Sequence, residues 1–395
     1  VRVLFVTHNI PRHDGDVAGS FVLRLAVALQ SIGHHVDVIA PGAPGLAPYG
    51  VIDGVAIDRI RYGSDSSMTL AYTGTMAEQV TSSWRGKFAL FAMLRSIRRA
   101  VQAKVNDAAT KGTPYDIVHA HWWFPSALAL VGAESRRSPP LVITMHGSDV
   151  RLAHRKPVAH PLMRAALKQA SARSAVSRWL ADIVDNIAPP TQTHVAPMPV
   201  DTVRFAPPDT VVNQRAGILF VGRLNAQKGL SDVLDAMSLP ALSSAQLTVV
   251  GDGPDAAALR TKAATLGVSS RAHWVGPVAQ PSLAALFQRA VCVAMPSREE
   301  GLGLTAVEAQ LCETPVVAYA SGGVVDVVQP SRGGTLVPVG DIREFAHSLA
   351  ALVSHPDVAS EKGRHSRTEM LKRFSPNVVA AQYTSIYEEA IRVRR

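Results

Sequence analysis

Cysteine is nearly absent: two thiols in 395 residues, Cys292 in an apolar strand-like run and Cys312 in a helical one. Such a pair excludes a disulfide framework and reads as reduced core thiols, neither of them placed as a nucleophile. Nowhere does an uninterrupted apolar run reach the about eighteen residues that mark a membrane-spanning helix. The opening Val1-Arg-Val-Leu-Phe-Val6, followed soon by Pro11 and Asp14, lacks the form of a secretory signal, and the expectation is a cytoplasmic protein. There is no short Lys/Arg block and no aromatic RNA-binding signature, so nucleic acid is not an expected partner. No G-x-G-x-x-G follows the first strand, which sets aside a dinucleotide-dependent dehydrogenase.

What is present is material for two globular cores. With 47% apolar and 18% charged residues the chain is folded rather than disordered, and at roughly 150 residues per domain its length suggests two or three domains. The net charge of +9 favours acidic partners, whether a diphosphate, an anionic lipid surface or nucleic acid.

The most informative stretch is Ser297-Arg-Glu-Glu-Gly-Leu-Gly-Leu-Thr-Ala-Val-Glu308. Before it, Ala290-Val-Cys-Val-Ala-Met295 is a short, β-branched apolar run suited to a strand buried on both faces. Pro296 ends it, Gly301 and Gly303 permit a tight turn, and Thr305 to Cys312 has helical composition. A helix start offers unpaired N–H groups to an anionic or hydroxyl-rich ligand. Glu300 stands just before the helix and Glu308 about one turn inside it. The bland account of two such acids is a solvated pair favourable to the helix dipole. Their surroundings point instead to a sugar-nucleotide clamp.

In chain order, Val1 to Val6 is a strand, the loop Thr7 to Ser20 is polar, and Phe21, Leu25, Ala28, Leu29 and Ile32 recur at helical spacing before Gly33. With the strand His35 to Ala40 this forms a Rossmann-like opening. Asp14-Gly-Asp16 reads as turn formers rather than a metal-binding D-x-D. Ala43 to Gly63 suggests irregular or hairpin structure. Trp84, Phe88, Phe91, Leu94, Ile97 and Val101 mark one helical face amid Arg85, Lys87, Arg95, Arg98, Arg99 and Lys104. The favoured reading is a core-packed helix with a solvated basic face; the alternative is a surface for anionic lipid.

Tyr115 to His121 reads as a strand with His119 and His121 on one face, a pair that could suggest a metal but has no third ligand of the usual spacing nearby. Trp122-Trp-Phe-Pro125 offers either a stacking platform or packing. Leu141-Val-Ile-Thr-Met-His-Gly-Ser-Asp149 is a strand running into a glycine turn. Ligands of open α/β sheets sit at strand carboxyl ends, which puts His146 and Asp149 at a cleft. The proline-rich Val195 to Pro208 is the expected domain boundary. Beyond it, Gly217 to Gly222 is a buried strand whose following loop carries Arg223 and Lys228. Fixed cations there suit a leaving group that gains negative charge as a bond breaks.

The spacing Glu300-x7-Glu308, set in Pro-Ser-x-x-Glu-Gly-Leu-Gly-Leu and followed by Thr314-Pro-Val-Val-Ala318 and Gly322-Gly323, resembles the large retaining glycosyltransferase family 4, the glycosyl transferases group 1, of GT-B fold. The resemblance extends over most of the chain. Thr144-x-His146-Gly-x-Asp149 is similar to a family segment beside the reacting sugar, Arg223 and Lys228 to its diphosphate-binding pair, and the loop ending at Gly19 to its first glycine loop, which usually has two adjacent glycines where this chain has Ala18-Gly19. Met198-Pro199 departs from the family's usual Pro-Asn-Gly-Val-Asp.

The resemblance implies an α/β protein of two Rossmann-like domains facing each other across a cleft. Residues 1–200 would form the acceptor side and 201–376 the donor domain, with the helix 377–395 crossing back to the first. It implies retaining transfer of a sugar from a nucleoside diphosphate, a UDP- or GDP-sugar, to a hydroxyl of a glycan, lipid-linked or small-molecule acceptor. His146, Arg223, Lys228 and Glu300 would carry the catalytic work: Arg223 and Lys228 on the leaving group, Glu300 on the donor sugar, His146 shaping the reaction side. Glu308 would hold the ribose and Val278 would lie near the base. Gly19 and Asp149, with Gly301, Leu302, Gly303 and Leu304 around the two glutamates, would complete the donor site. Attack from the front face, with the departing phosphate taking the acceptor's proton, needs no general base, and no metal or other cofactor is expected. A place at the inner face of a membrane, by peripheral contact, is compatible with this reading. The alternatives are a nucleotide-sugar epimerase of the same fold and a non-catalytic nucleotide-sugar or glycan-binding subunit.

Overall fold

The computed structural model describes all residues except 73–75, 77–79, 81–82, 134–137, 209–214 and 395. The chain divides into two units, Val1–Pro199 with Pro376–Arg395, and Val200–Ser375.

In the first unit, β1 (Arg2–Val6), β2 (His35–Pro41), β3 (Tyr49–Ile52), β4 (Val55–Ile60), β5 (Ile117–His121), β6 (Leu141–Met145), β7 (Ala172–Ala175) and β8 (His194–Val195) form one sheet. Its order is β3-β4-β2-β1-β5-β6-β7-β8. Every neighbouring pair is parallel except β3 with β4. That pair is a hairpin closed by Asp53 and Gly54, both at positive φ, the backbone demanded by a two-residue turn of the I′ type. The central strands β5 and β6 are buried along their whole length, as a parallel sheet covered on both faces requires. Each Val, Ile, Leu or Phe so buried contributes about 1.5–3 kcal/mol.

The C-terminal helix Pro376–Arg394 belongs to this unit and buries Val379, Tyr383, Ile386 and Tyr387. Tyr383 donates to the Ala196 carbonyl at 3.0 Å, and Thr384 meets His34 at 2.8 Å.

The second unit has β9 (Ile218–Val221), β10 (Leu247–Val250), β11 (Ala272–Gly276), β12 (Cys292–Met295), β13 (Val316–Tyr319) and β14 (Thr335–Val337), in the order β11-β10-β9-β12-β13-β14 and all parallel. Its core joins Phe220, Val249 and Tyr319 of the sheet to Leu230 and Leu234 of the helix Leu230–Met237 and to Phe345 and Leu349 of the helix Ile342–Ser354. Cys292 and Cys312 are free and buried, and burial pushes both thiols up to about 12, so neither is a ready nucleophile.

The helix Trp84–Thr110 corrects one expectation. Its inward residues are Gly86, Ala89, Met93, Ile97 and Val101, whereas Trp84, Phe88 and Phe91 are 78%, 64% and 62% exposed. Small residues at 86 and 89 let the helix lie close to its neighbours, and the large aromatics take the opposite side.

Candidate functional site

Strand order places the two sites. In each sheet the chain returns to a central strand and leaves on the other side: β1 lies between β2 and β5, and β9 between β10 and β12. Loops leaving such a strand pair diverge and open a crevice at the carboxyl ends.

In the second unit the loop after β9 carries Arg223 and Lys228 and the loop after β12 carries Glu300. The Lys228 ammonium donates to Glu300 Oε2 at 2.6 Å, with both side chains largely covered. The backbone ties these loops as well: Arg298 N donates to the Gln227 carbonyl at 2.8 Å. Arg223 is exposed beside this pair in sequence. Gly301, Leu302 and Gly303 are buried, Leu304 opens the helix Leu304–Leu311, and Gly303 caps it at φ 91°. Glu308, five residues into that helix, is only 6% exposed, a place a carboxylate takes only against hydrogen-bonding partners. Val278 is half-buried in the loop after β11, at the far edge of the sheet.

The Glu300 backbone is fixed from behind. Gly323 N donates to its carbonyl at 2.7 Å, and Gly322, at φ +60°, lies so close that a Cβ would meet that oxygen at 2.4 Å. Gly322→Ala is therefore expected to destabilise this unit by about 2 kcal/mol. Urea unfolding checks it; an unchanged midpoint would show that the loop yields freely.

In the first unit a cavity of about 450 Å³ opens among the loops after β1, β5 and β6, with His8, Asn9, Trp122, Phe124, Ser148 and Asp149 in its wall. Trp122 sits at φ +68°, a strained backbone for a bulky residue and one that collects at functional sites. Gly19, at the start of the helix Ser20–Ser31, has φ +64° and lies where a Cβ would strike the Asn9 carbonyl at 2.3 Å, so it closes the loop that carries His8 and Asn9. Asp149 is buried. Its carboxylate accepts from Trp123 N at 3.0 Å, Gly147 N at 3.1 Å and His146 N at 3.2 Å. Burial raises its pKa while these amides oppose the rise. Asp149 thus organises the turn that carries His146.

His146 stacks on Trp122 at 4.3 Å between ring centroids and shares a 3.0 Å hydrogen bond between its Nε2 and His121 Nδ1. Its Nδ1 is buried without a partner, as is His121 Nε2. His119 is saturated, through Nδ1 with Tyr387 Oη at 2.9 Å and through Nε2 with Thr144 Oγ1 at 2.7 Å. Burial first, then neighbouring histidines, hold His119, His121 and His146 well below the usual imidazole range, and burial holds His8 at about 4. All four are neutral at ordinary pH. Among the described residues no group of three or more His, Cys, Asp or Glu is placed to hold a metal ion. Asp16 takes a bidentate bond from Arg12 and accepts from Ala18 N, as a turn former does.

His8, Asn9 and Ser148 were not singled out from sequence. No spacing signals them, because three separate loops meet only through the strand order. Trp122 was visible only as part of an aromatic run.

Known proteins agree with this frame. Residues 207–370 match the family described as Glycosyl transferases group 1, and residues 18–204 match Glycosyltransferase Family 4. The chain is 33% identical to the D-inositol 3-phosphate glycosyltransferase of Jonesia denitrificans over 95% of this chain and 92% of that one. Its fold is similar to that of sucrose-phosphate synthase from Thermosynechococcus elongatus, with a TM-score of 0.78, 21% identity and 98% of both chains covered. It is also similar to Anabaena HepE in complex with UDP-glucose, with a TM-score of 0.68, 17% identity, and 97% and 98% covered.

Proposed function

The chain belongs to glycosyltransferase family 4, the group 1 glycosyl transferases of GT-B fold, and from that premise we propose the reaction it runs: transfer of a sugar from a UDP- or GDP-sugar to a hydroxyl, with retention at the anomeric carbon. The acceptor is a glycan, a lipid-linked or a small molecule. That its relatives are transferases sets the epimerase reading aside.

The observation that carries the proposal is the Lys228–Glu300 pair at the switch point of the second sheet. An ammonium has three N–H donors. One is held by Glu300, and the other two are available to phosphate oxygens. As the bond from the anomeric carbon to the phosphate oxygen breaks, charge grows on the diphosphate, and Lys228 and Arg223 stabilise that charge more than the ground state. The acceptor oxygen bonds to the same face of the carbon, and its proton leaves with the phosphate. Glu300 orients the sugar through its hydroxyls, and Glu308 accepts from the ribose. Gly303 and the start of the following helix give N–H groups to the donor, and Val278 borders the base. In the first unit His146 shapes the reaction side, and Gly19 and Asp149 are assigned to donor binding. Arg223 and Lys228 supply the countercharge in this scheme, and transfer is expected to survive a chelator.

The test is thermal stabilisation by UDP, GDP, ADP, CMP and NAD, beside Glu308→Gln and Arg223→Ala. Binding to the folded state adds about 2.7 kcal/mol at a hundredfold excess over Kd. A shift with one diphosphate, reduced in both variants, is expected. No shift with any nucleotide would overturn the donor assignment in favour of a binding subunit for glycans.

A further inference from the structure

The helix Trp84–Thr110 begins with a surface that transfer chemistry does not use. Trp84, Phe88 and Phe91 are 78%, 64% and 62% exposed. Their spacing of four and three residues lines them on one helical face, and Arg95, four residues on, continues the stripe. Arg85 and Lys87 flank it, and both are exposed, as are Arg95 and Arg99. Residues 84–99 hold five cations and no acid, and only Arg98 turns back to the protein, donating to the Val131 carbonyl at 3.2 Å. Ser83 caps the helix by accepting from Gly86 N at 3.0 Å, so the stripe starts on formed helix. Beside it a hollow of about 650 Å³ is lined by Trp84 and Phe88 as well as by Ser66, Ser67, Thr69 and Arg85.

Three large aromatics held in water on one face are a liability unless something covers them. Among the described residues no helix is long and apolar enough to cross a membrane, so an occupant must be met from the side. A second copy of this chain is a poor one: a two-fold contact sets like patches together, bringing Arg85, Lys87, Arg95 and Arg99 against their own equivalents. An anionic bilayer matches both features. Aromatic rings settle at the headgroup boundary, cations above them meet lipid phosphates, and hydroxyls with a guanidinium suit a phosphate headgroup. We propose that the first turns of this helix form a peripheral docking surface for an anionic membrane, with Trp84, Phe88 and Phe91 entering the headgroup boundary and Arg85, Lys87, Arg95 and Arg99 holding its phosphates. This surface brings the first unit to a bilayer whichever acceptor it serves.

The test is sedimentation of the full chain with vesicles of phosphatidylcholine alone and of phosphatidylcholine with phosphatidylglycerol, at low and high salt. Partition onto the anionic vesicles is expected to be at least about tenfold stronger and to fall with salt. Phe88→Asp with Phe91→Asp should abolish it while leaving the fold intact, since neither ring is in the core. Arg85→Gln with Lys87→Gln should lower it by roughly fivefold for each cation removed. This charge pair decides the matter should the first variant misfold. Equal partition on both vesicles, or a folded variant that partitions like the original, would overturn the proposal. So would self-association in light scattering that the Phe88/Phe91 variant dissolves, which would assign the face to a second copy. No donor or acceptor enters the measurement, so its failure leaves the transfer reading untouched.

Discussion

Lys228→Ala is expected to lower kcat by about 10²–10³, the usual loss when one fixed donor to a developing negative charge is removed. The size follows from position: Lys228 shares a 2.6 Å bond with Glu300 and is only 22% exposed, so bulk water is a poor substitute for it. The substitution also leaves Glu300 without its cation, and two controls separate these effects. Glu300→Gln keeps Lys228 and should act mainly through sugar positioning. Lys228→Arg restores charge with a different fork and should recover part of the rate. Turnover of the donor, with kcat and KM resolved for each variant, is the measurement. If Lys228→Ala raised KM alone at unchanged kcat, Lys228 would be a binding group equal in ground and transition states.

Acid should unfold the first unit early. His119 and His121 are wholly buried, and burial holds both well below the usual range, with His146 and His8 shifted the same way. Once unfolded, each would take a proton near pH 6.5. Below that pH the unfolded chain therefore binds more protons than the folded one, and stability falls as pH falls. The contribution is complete above about pH 6.5 and is lost downward toward each native value, at about 1.4 kcal/mol per pH unit for each group. His119 and His121 together steepen the fall between pH 6 and 5, where few carboxylates yet titrate. Urea midpoints from pH 7.5 to 5 check this, and His119→Gln should flatten the slope by one proton. Stability that stays level across that range would mean these rings are hydrated and charged in the folded protein.

Much of the frame was legible in the chain. Runs such as Ala290 to Met295 and Gly217 to Gly222 read as buried strands, and they contain β12 and β9. Pro296 and the glycines at 301 and 303 marked the strand-to-helix turn. The pairing of Lys228 with Glu300 was not legible, because 72 residues and a sheet crossover separate them. Nor was the work of Asp149, whose carboxylate faces backbone amides that no side-chain pattern announces. The Trp84 helix misled for a definite reason. The apolar positions span two faces rather than one, with Ile97 and Val101 turned inward and Trp84, Phe88 and Phe91 turned out. The small residues Gly86 and Ala89, on the other side, carried the better clue.

The bond between His119 and Tyr387 spans 268 positions, and residues 200–375 form a separate unit between its ends. On the ribosome, the half of the protein made first is therefore the half finished last. At 5–20 residues per second, roughly 10–35 s pass between the end of its sheet and the arrival of its closing helix. For that interval the seat of Tyr383 and Tyr387, against the His119 ring, waits uncovered while the second unit is synthesised. Chaperone dependence, and any nonsense mutation that removes the helix Pro376–Arg394, should be felt first in this half.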